Sequence, residues 1–383
     1  METNAFGRPR RRLLVAVATL GMVVGACGGG TAATTAPSSA APSVAPSSAA
    51  PSDGGSASPS APAEVVIPAP EKKTLTIGLS TGGEASQYAE FLANQLEYYK
   101  TIGGFDSVEV TGLQGDAKAV QALVAGGIDL GVVGVSGAIN SQITDTPLKI
   151  VSINGVVLTD MLVCGADIKT ADDVKGKQIA ISSFGSTAHG STLLLLQSLG
   201  LTDQDVTLTQ VGNQDARLAA VKSGAVACAP IDLGRKAEIE EAGLNNLANN
   251  KNPDLPWGRS GLAATASFIQ SNPNTVLAVV AAALAAQNYA FTNTDDTATK
   301  FAEYAQTDPA DAKAVIDDFV TWGNRSMGWS DAAFDNPKKV LAAVNPEMAN
   351  VDVNNAQDKS FLQKLADMGF YQQIGNPELP FQN

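Results

Sequence analysis

"SVEVTGLQGDAKAVQALVAGGIDLGVVGVS" (107–136) lies without a gap over "DVTLTQVGNQDARLAAVKSGAVACAPIDLG" (205–234), at an offset of 98. Both stretches run from an alternating strand through a polar loop into a short helix, then through a small-residue turn into an apolar strand. Upstream, "LTIGLSTGG" (75–83) stands over "KQIAISSFG" (177–185) at an offset of 102. Each of these opens with an alternating strand and a Ser/Gly loop, and a helical pattern follows, ending near Tyr99 and Leu199. Period-two alternation marks half-buried strands, and a 3.6-residue period marks helices. Each half therefore reads β-α-β-α-β. That order demands a mostly parallel sheet covered by helices, because parallel neighbours need a long crossover between them.

The remaining chain turns two repeats into two lobes. After Asp254, "PWGRSGLAATASFI" returns as an extended segment, and helical patterns follow near 273–291, 296–306, 309–321 and 331–343. The chain leaves the first lobe near Gly155–Asp160 and comes back near Trp257–Thr265. The expectation is an α/β protein in which 72–157 begin lobe I, 158–258 form lobe II, and 259–383 return to lobe I with the C-terminal helices. Two crossings between similar lobes make a hinge. The Ala-rich run near 275–290 carries Gln287 and Asn288 and reads as a helix of the folded domain, not as a membrane span.

The N-terminus has a separate logic. Arg8, Arg10, Arg11 and Arg12 precede 14 uncharged residues, Leu13 to Ala26. A basic region, a short apolar run and small residues read as a secretory signal, and a transmembrane helix would need about 20 apolar residues. Val24-Gly25-Ala26-Cys27 resembles the bacterial lipobox, in which the cysteine is lipidated and becomes the new N-terminus. Residues 28–63 are almost wholly Gly, Ala, Ser, Thr and Pro, with Asp53 the only charge and Val44 the only sizeable apolar group. Such a composition buries too little to offset its ordering entropy. With 1–26 a signal peptide and 27–71 a tether, about 40 flexible residues give a leash of roughly 35 Å. Removing 1–26 leaves 21 Lys+Arg against 37 Asp+Glu, a net charge of −16. That balance argues against nucleic acid and against binding to anionic lipid through the folded surface.

In open α/β sheets, ligands bind beyond the carboxyl ends of the strands. Three loops there are rich in hydroxyls and glycine: Ser80-Thr81-Gly82-Gly83, Val135-Ser136-Gly137, and Ser182-Ser183-Phe184-Gly185-Ser186-Thr187. Glycine admits close backbone approach, hydroxyls donate, and helix N-termini present free N–H groups. Their convergence would favour a small anion or an oxygen-rich molecule, although each Ser or Thr also reads as an ordinary N-cap. His189, the only histidine, falls in the first turn after Ser186. Asp232 and Arg235 follow the last strand of lobe II, where Asp232 suits an amine and Arg235 a carboxylate or sulfonate; both also read as solvated charges or an interlobe salt bridge. Asn154, beside the first crossing, completes the ligand-binding candidates. No cofactor motif or metal-ligand cluster is present, and Gly134-Val135-Ser136-Gly137-Ala138 only approaches the G-x-S-x-G elbow.

"AVQALVAGGIDLGVVGVSGAI", "DVKGKQIAISSFGSTAHGSTLLLLQSLGL" and "FIQSNPNTVLAVVAAALAAQNYA" resemble the solute-binding proteins of ABC importers for nitrate, sulfonates, taurine and thiamine precursors. The resemblance covers nearly all of 73–370. It implies a type II periplasmic-binding-protein fold whose lobes close on a ligand, with Ser80–Gly83, Ser136–Gly137 and Phe184–Thr187 lining the cleft. It also implies an extracytoplasmic location, an ABC permease as partner, and no catalysis. The chain lacks the cysteine-rich signature of the pyrimidine-synthesising branch. A monomer anchored to the membrane through Cys27 is the expected form. A secreted enzyme or sensor on the same fold, or the binding component of a tripartite secondary transporter, are the alternatives. In the arrangement so implied, the segment bearing Cys164 runs antiparallel beside the strand bearing Cys228. The two would then be neighbours, either disulfide-bonded or as buried free thiols.

Overall fold

The computed structural model describes residues 64–381. The expected signal peptide and lipobox, with Cys27, lie outside the described residues.

Among the described residues, ten strands form two sheets of five: β1 (Thr74–Leu79), β2 (Ser107–Gly112), β3 (Leu130–Val133), β4 (Leu148–Gly155), β5 (Asp160–Cys164), β6 (Gln178–Ile181), β7 (Thr207–Gln210), β8 (Cys228–Asp232), β9 (Asn245–Asn249) and β10 (Ser260–Thr265). The lobe I sheet runs β2-β1-β3-β10-β4 and the lobe II sheet β7-β6-β8-β5-β9. In each, β1 or β6 pairs parallel with both neighbours, and a single strand, β10 or β5, is inserted antiparallel. The inserted strand is in each case the one that has just arrived from the other lobe. The sequence repeat is carried into the geometry: helices Asp116–Val124 and Gln214–Lys222 start 98 residues apart, as do β3 and β8.

Lobe I is organised around helix Pro273–Thr292, whose residues Val276 to Ala286 are buried. Alanines there let the sheet and neighbouring helices approach closely on every side, as close-packed interiors require. The helix is long and apolar enough to cross a bilayer, yet 83% of its most apolar window is buried inside the fold. Its polar residues are satisfied locally: Gln287 donates to the carbonyls of Asn154 and Asn324, and Asn288 donates to that of Ile374. Glu71 caps its start, accepting from the N–H groups of Asn274 (3.0 Å) and Thr275 (2.7 Å). This corrects one boundary. Residues 64–71, assigned above to the tether, lie along lobe I, where Val65 and Ile67 pack against the core.

The two crossings touch. Trp257 N–H donates to Val156 (2.7 Å) and Arg259 N–H to Gly155 (3.0 Å). In lobe II, Cys164 stands directly opposite Cys228 across β5 and β8, and the two form a disulfide with Cα atoms 4.0 Å apart.

Candidate functional site

The lobes meet at glycines. A Cβ on Gly134 of lobe I would lie 1.7 Å from Thr187 Oγ1 of lobe II, and one on Gly185 would lie 2.8 Å from the Asn140 amide carbon. At Gly115, whose φ is +110°, an added Cβ would lie 3.0 Å from Ser182 Oγ. Only residues without a side chain permit these approaches. Beside these contacts a polar cavity of about 40 Å³ lies between the lobes. Ser80, Thr81, Glu84, Gln87 and Asp116 line it from lobe I, Ser182, Thr187, Ala188 and Arg217 from lobe II, and Asp160, Arg259 and Ser260 from the crossings.

Arg259 holds the centre. Its guanidinium donates to Asp160 (3.1 Å), Glu84 (3.2 Å) and Asp232 (2.7 Å), and only 5% of the residue is exposed. Burial opposes its charge, but the three carboxylates outweigh burial and hold its pKa above the ordinary value. Burial also pushes Glu84 up to about 7, against the pull of Arg259 and with repulsion from Asp232 and Asp160. Asp232 is raised for the same first reason. Arg217 is buried too, and burial lowers its pKa; its guanidinium donates to the carbonyls of Pro230 and Gly212, not to a carboxylate. Asp116 spans the gap, accepting from Gly134 N–H of its own lobe and Thr187 N–H of the other, both at 3.4 Å. Ser182 Oγ and Thr187 Oγ1 are buried without a partner.

The residues singled out from sequence do not form one site. Ser80, Thr81 and Thr187 line the central cavity. Phe184, Gly185 and His189 line a separate groove of about 600 Å³ with Asn140, Leu341 and Met348. There His189 Nδ1 accepts from Gly185 N–H, and burial lowers its pKa. Gly82, Asp232 and Arg235 border a third groove of about 610 Å³. Arg235 is engaged by Asp215 and Glu238, and Asp232 by Arg259, Thr159 and Gly234 N–H. Ser186 serves as N-cap of helix Thr187–Ser198, accepting from His189 N–H at 3.2 Å. Ser136 is buried with its hydroxyl unpartnered, and Gly137 faces Val120. Asn154 turns away from the cavity and donates to Glu90 at 2.9 Å inside lobe I. The contact of Gly134 with Thr187 divides what reads in sequence as one continuous cleft.

Glu84, Asp116, Asp160, Arg217 and Arg259 were missed. Two of them had a signal: Asp160 and Arg259 stand at the two crossings, and Arg259 is the one charge in "PWGRSGLAATASFI".

Two lobes of the same topology, each lending a strand to the other and closed over a polar cavity, define the type II periplasmic-binding-protein fold. Residues 86–297, more than half of the chain, match the family described as NMT1/THI5 like, and the chain belongs to it. A predicted binding protein of Brucella abortus (strain 2308) is 27% identical over 195 residues, 50% of this chain. The chain spans 60% of the length of the curated relatives it matches. The alkanesulfonate-binding protein SsuA from Xanthomonas axonopodis pv. citri, bound to MOPS, shares the fold at 20% identity and a TM-score of 0.62, covering 76% of this chain and 99% of that one. The periplasmic nitrate-binding protein NrtA from Synechocystis PCC 6803 does so at 17% identity and 0.63, covering 82% and 93%. One structural neighbour is an enzyme, the desulfurization enzyme DSZB, at 15% identity and 0.56, covering 76% and 99%.

Proposed function

We propose that this protein is an extracytoplasmic lipoprotein, tethered through Cys27, that captures a small polar solute between its lobes and delivers it unchanged to the permease of an ABC importer. The observation that carries the reading is the polar interlobe cavity, beside which Ser182 Oγ and Thr187 Oγ1 are buried without partners. A buried polar atom left unsatisfied costs about 1–3 kcal/mol, and a solute bound between the lobes would remove that cost. Its closure would also create the surface a permease reads. The carboxylates that line the cavity suit an ammonium end, so among the anionic and zwitterionic solutes that the resemblance implies, a zwitterion of the aminosulfonate type fits best. Catalysis lacks support: Ser136, the nearest approach to a nucleophile elbow, has no base on its hydroxyl. Native mass spectrometry of the freshly purified protein tests the reading. A retained small molecule, released unchanged on denaturation, is the expected result; release of a chemically altered product would replace it with an enzyme.

A further inference from the structure

The charges around the cavity do not balance. Glu84, Asp116, Asp160 and Asp232 set four carboxylates against the two guanidinium groups of Arg217 and Arg259. With every group ionised the cluster is −2, and it stays at −1 with Glu84 protonated. Neither cation offers a free bidentate face, the arrangement by which arginine takes a carboxylate or sulfonate. The terminal nitrogens of Arg259 are spread over three carboxylates, which leaves its buried Nε–H as a lone unpartnered donor, and Arg217 is spent on the Pro230 and Gly212 carbonyls. The remaining anion site is the N-terminus of the 12-residue helix Thr187–Ser198. Its Thr187 N–H already faces a carboxylate, that of Asp116 from the opposite lobe. Beside Asp116, two buried hydroxyls, Ser182 Oγ and Thr187 Oγ1, have no partner.

Resting on the solute-binding reading above, we infer that the solute carries a positive charge, an ammonium or amidinium group, and that Asp116 selects it. The cation's N–H donors would meet the Asp116 carboxylate and the two unpartnered hydroxyls. Its charge would offset the excess of carboxylates. A plain anion such as nitrate or an alkanesulfonate finds the helix terminus taken and three or more carboxylates near it.

Matched probes test this on the full chain by calorimetry and thermal shift: 2-aminoethanesulfonate against ethanesulfonate, and ethanolamine and putrescine against nitrate. The expected result is binding of at least one ammonium-bearing probe and none of the anions. Asp116→Asn should weaken the bound amine about tenfold or more, the scale of one charge-assisted hydrogen bond, and should let ethanesulfonate or nitrate bind. The inference is overturned if an anion binds the wild type as tightly as its amine-bearing counterpart, or if Asp116→Asn leaves the preference unchanged. Should the variant misfold, the wild-type preference alone decides. If no probe, and no retained molecule in native mass spectrometry, is ever found, the solute-binding reading itself fails and takes the inference with it.

Discussion

Replacing Glu90 by glutamine isolates the cost of a buried carboxylate. Glu90 lies in helix Tyr88–Gln95 with no exposed surface. Its Oε2 accepts from Asn154 at 2.9 Å, whereas Oε1 and the nearby Tyr99 hydroxyl have no partner. Burial raises its pKa from the ordinary 4.5 to about 7, against smaller opposing pulls from its backbone and Asn154. The folded state therefore holds a proton that the unfolded chain gives up near pH 4.5. Stability from this group is full below that pH, falls as pH rises toward 7, and is flat above. A rise from 4.5 to about 7, at about 1.36 kcal/mol per pH unit, amounts to about 3 kcal/mol. Glutamine is neutral in both states. Glu90→Gln should match the wild type near pH 4.5 and exceed it by about 3 kcal/mol at pH 8, with Glu84 sloping both curves alike. Urea denaturation across that range, with equal m-values, supplies the measurement. Two curves separated by the same offset at every pH would refute the reasoning.

The other predictions follow from contacts. Gly134→Ala keeps an allowed backbone, at φ −66°, but sets a Cβ 1.7 Å from Thr187 Oγ1, so both lobes should fold and fail to close; an unchanged radius of gyration in X-ray scattering with ligand present would reject it. Ser182→Ala with Thr187→Val should cost about 10- to 100-fold in solute affinity without lowering the unfolding midpoint, because neither hydroxyl is partnered in the free protein. Replacing Cys164 and Cys228 by alanine opens a loop of 64 residues and should cost about 2–4 kcal/mol in denaturant unfolding. Two free thiols counted on the unreduced wild type would remove the bridge. Cys27→Ser should abolish incorporation of a fatty-acid probe; equal labelling of the two forms would end the lipoprotein proposal.

What the sequence showed was local, and what it hid was long-range. Helices Asp116–Val124 and Gln214–Lys222 were legible because period and capping act within a few residues, and a repeat doubles that signal. The helix expected near 309–321 is Pro309–Trp322, opened by the Asp308 side chain, which accepts from Ala310 N–H. Arg259 was illegible as the centre of the site because its partner Glu84 is 175 positions away. Asp116 was hidden differently: the repeat pairs it with Gln214, and an acid in a first helical turn looks like a response to the helix dipole. Its reach to Thr187 depends on how the lobes close. The same holds for Asn154, whose position beside the hinge suggested the cleft while its side chain turns to Glu90.

The placement of the charges separates what holds the lobes from what moves them. Asp160 begins β5 and Arg259 immediately precedes β10, so the two stand at equivalent points of the crossing strands and pair with each other at 3.1 Å. An opening rotation about the crossings leaves atoms on the axis nearly in place. Arg259, Asp160 and the adjoining Asp232 therefore stay paired, and the cost of leaving a buried charge alone, about 3–5 kcal/mol, is not incurred. The contacts that must break lie off the axis: Asp116 with Thr187 N–H, Gly134 with Thr187, and Gly185 with Asn140. The first is a single long hydrogen bond and the other two are van der Waals contacts, while the interlobe ion pair of Lys251 with Asp318 (2.7 Å) is solvent-exposed and correspondingly weak. The hinge thus rests on strong pairs and the closure on weak ones, and under the function proposed above a bound solute's own interactions would decide the balance between open and closed.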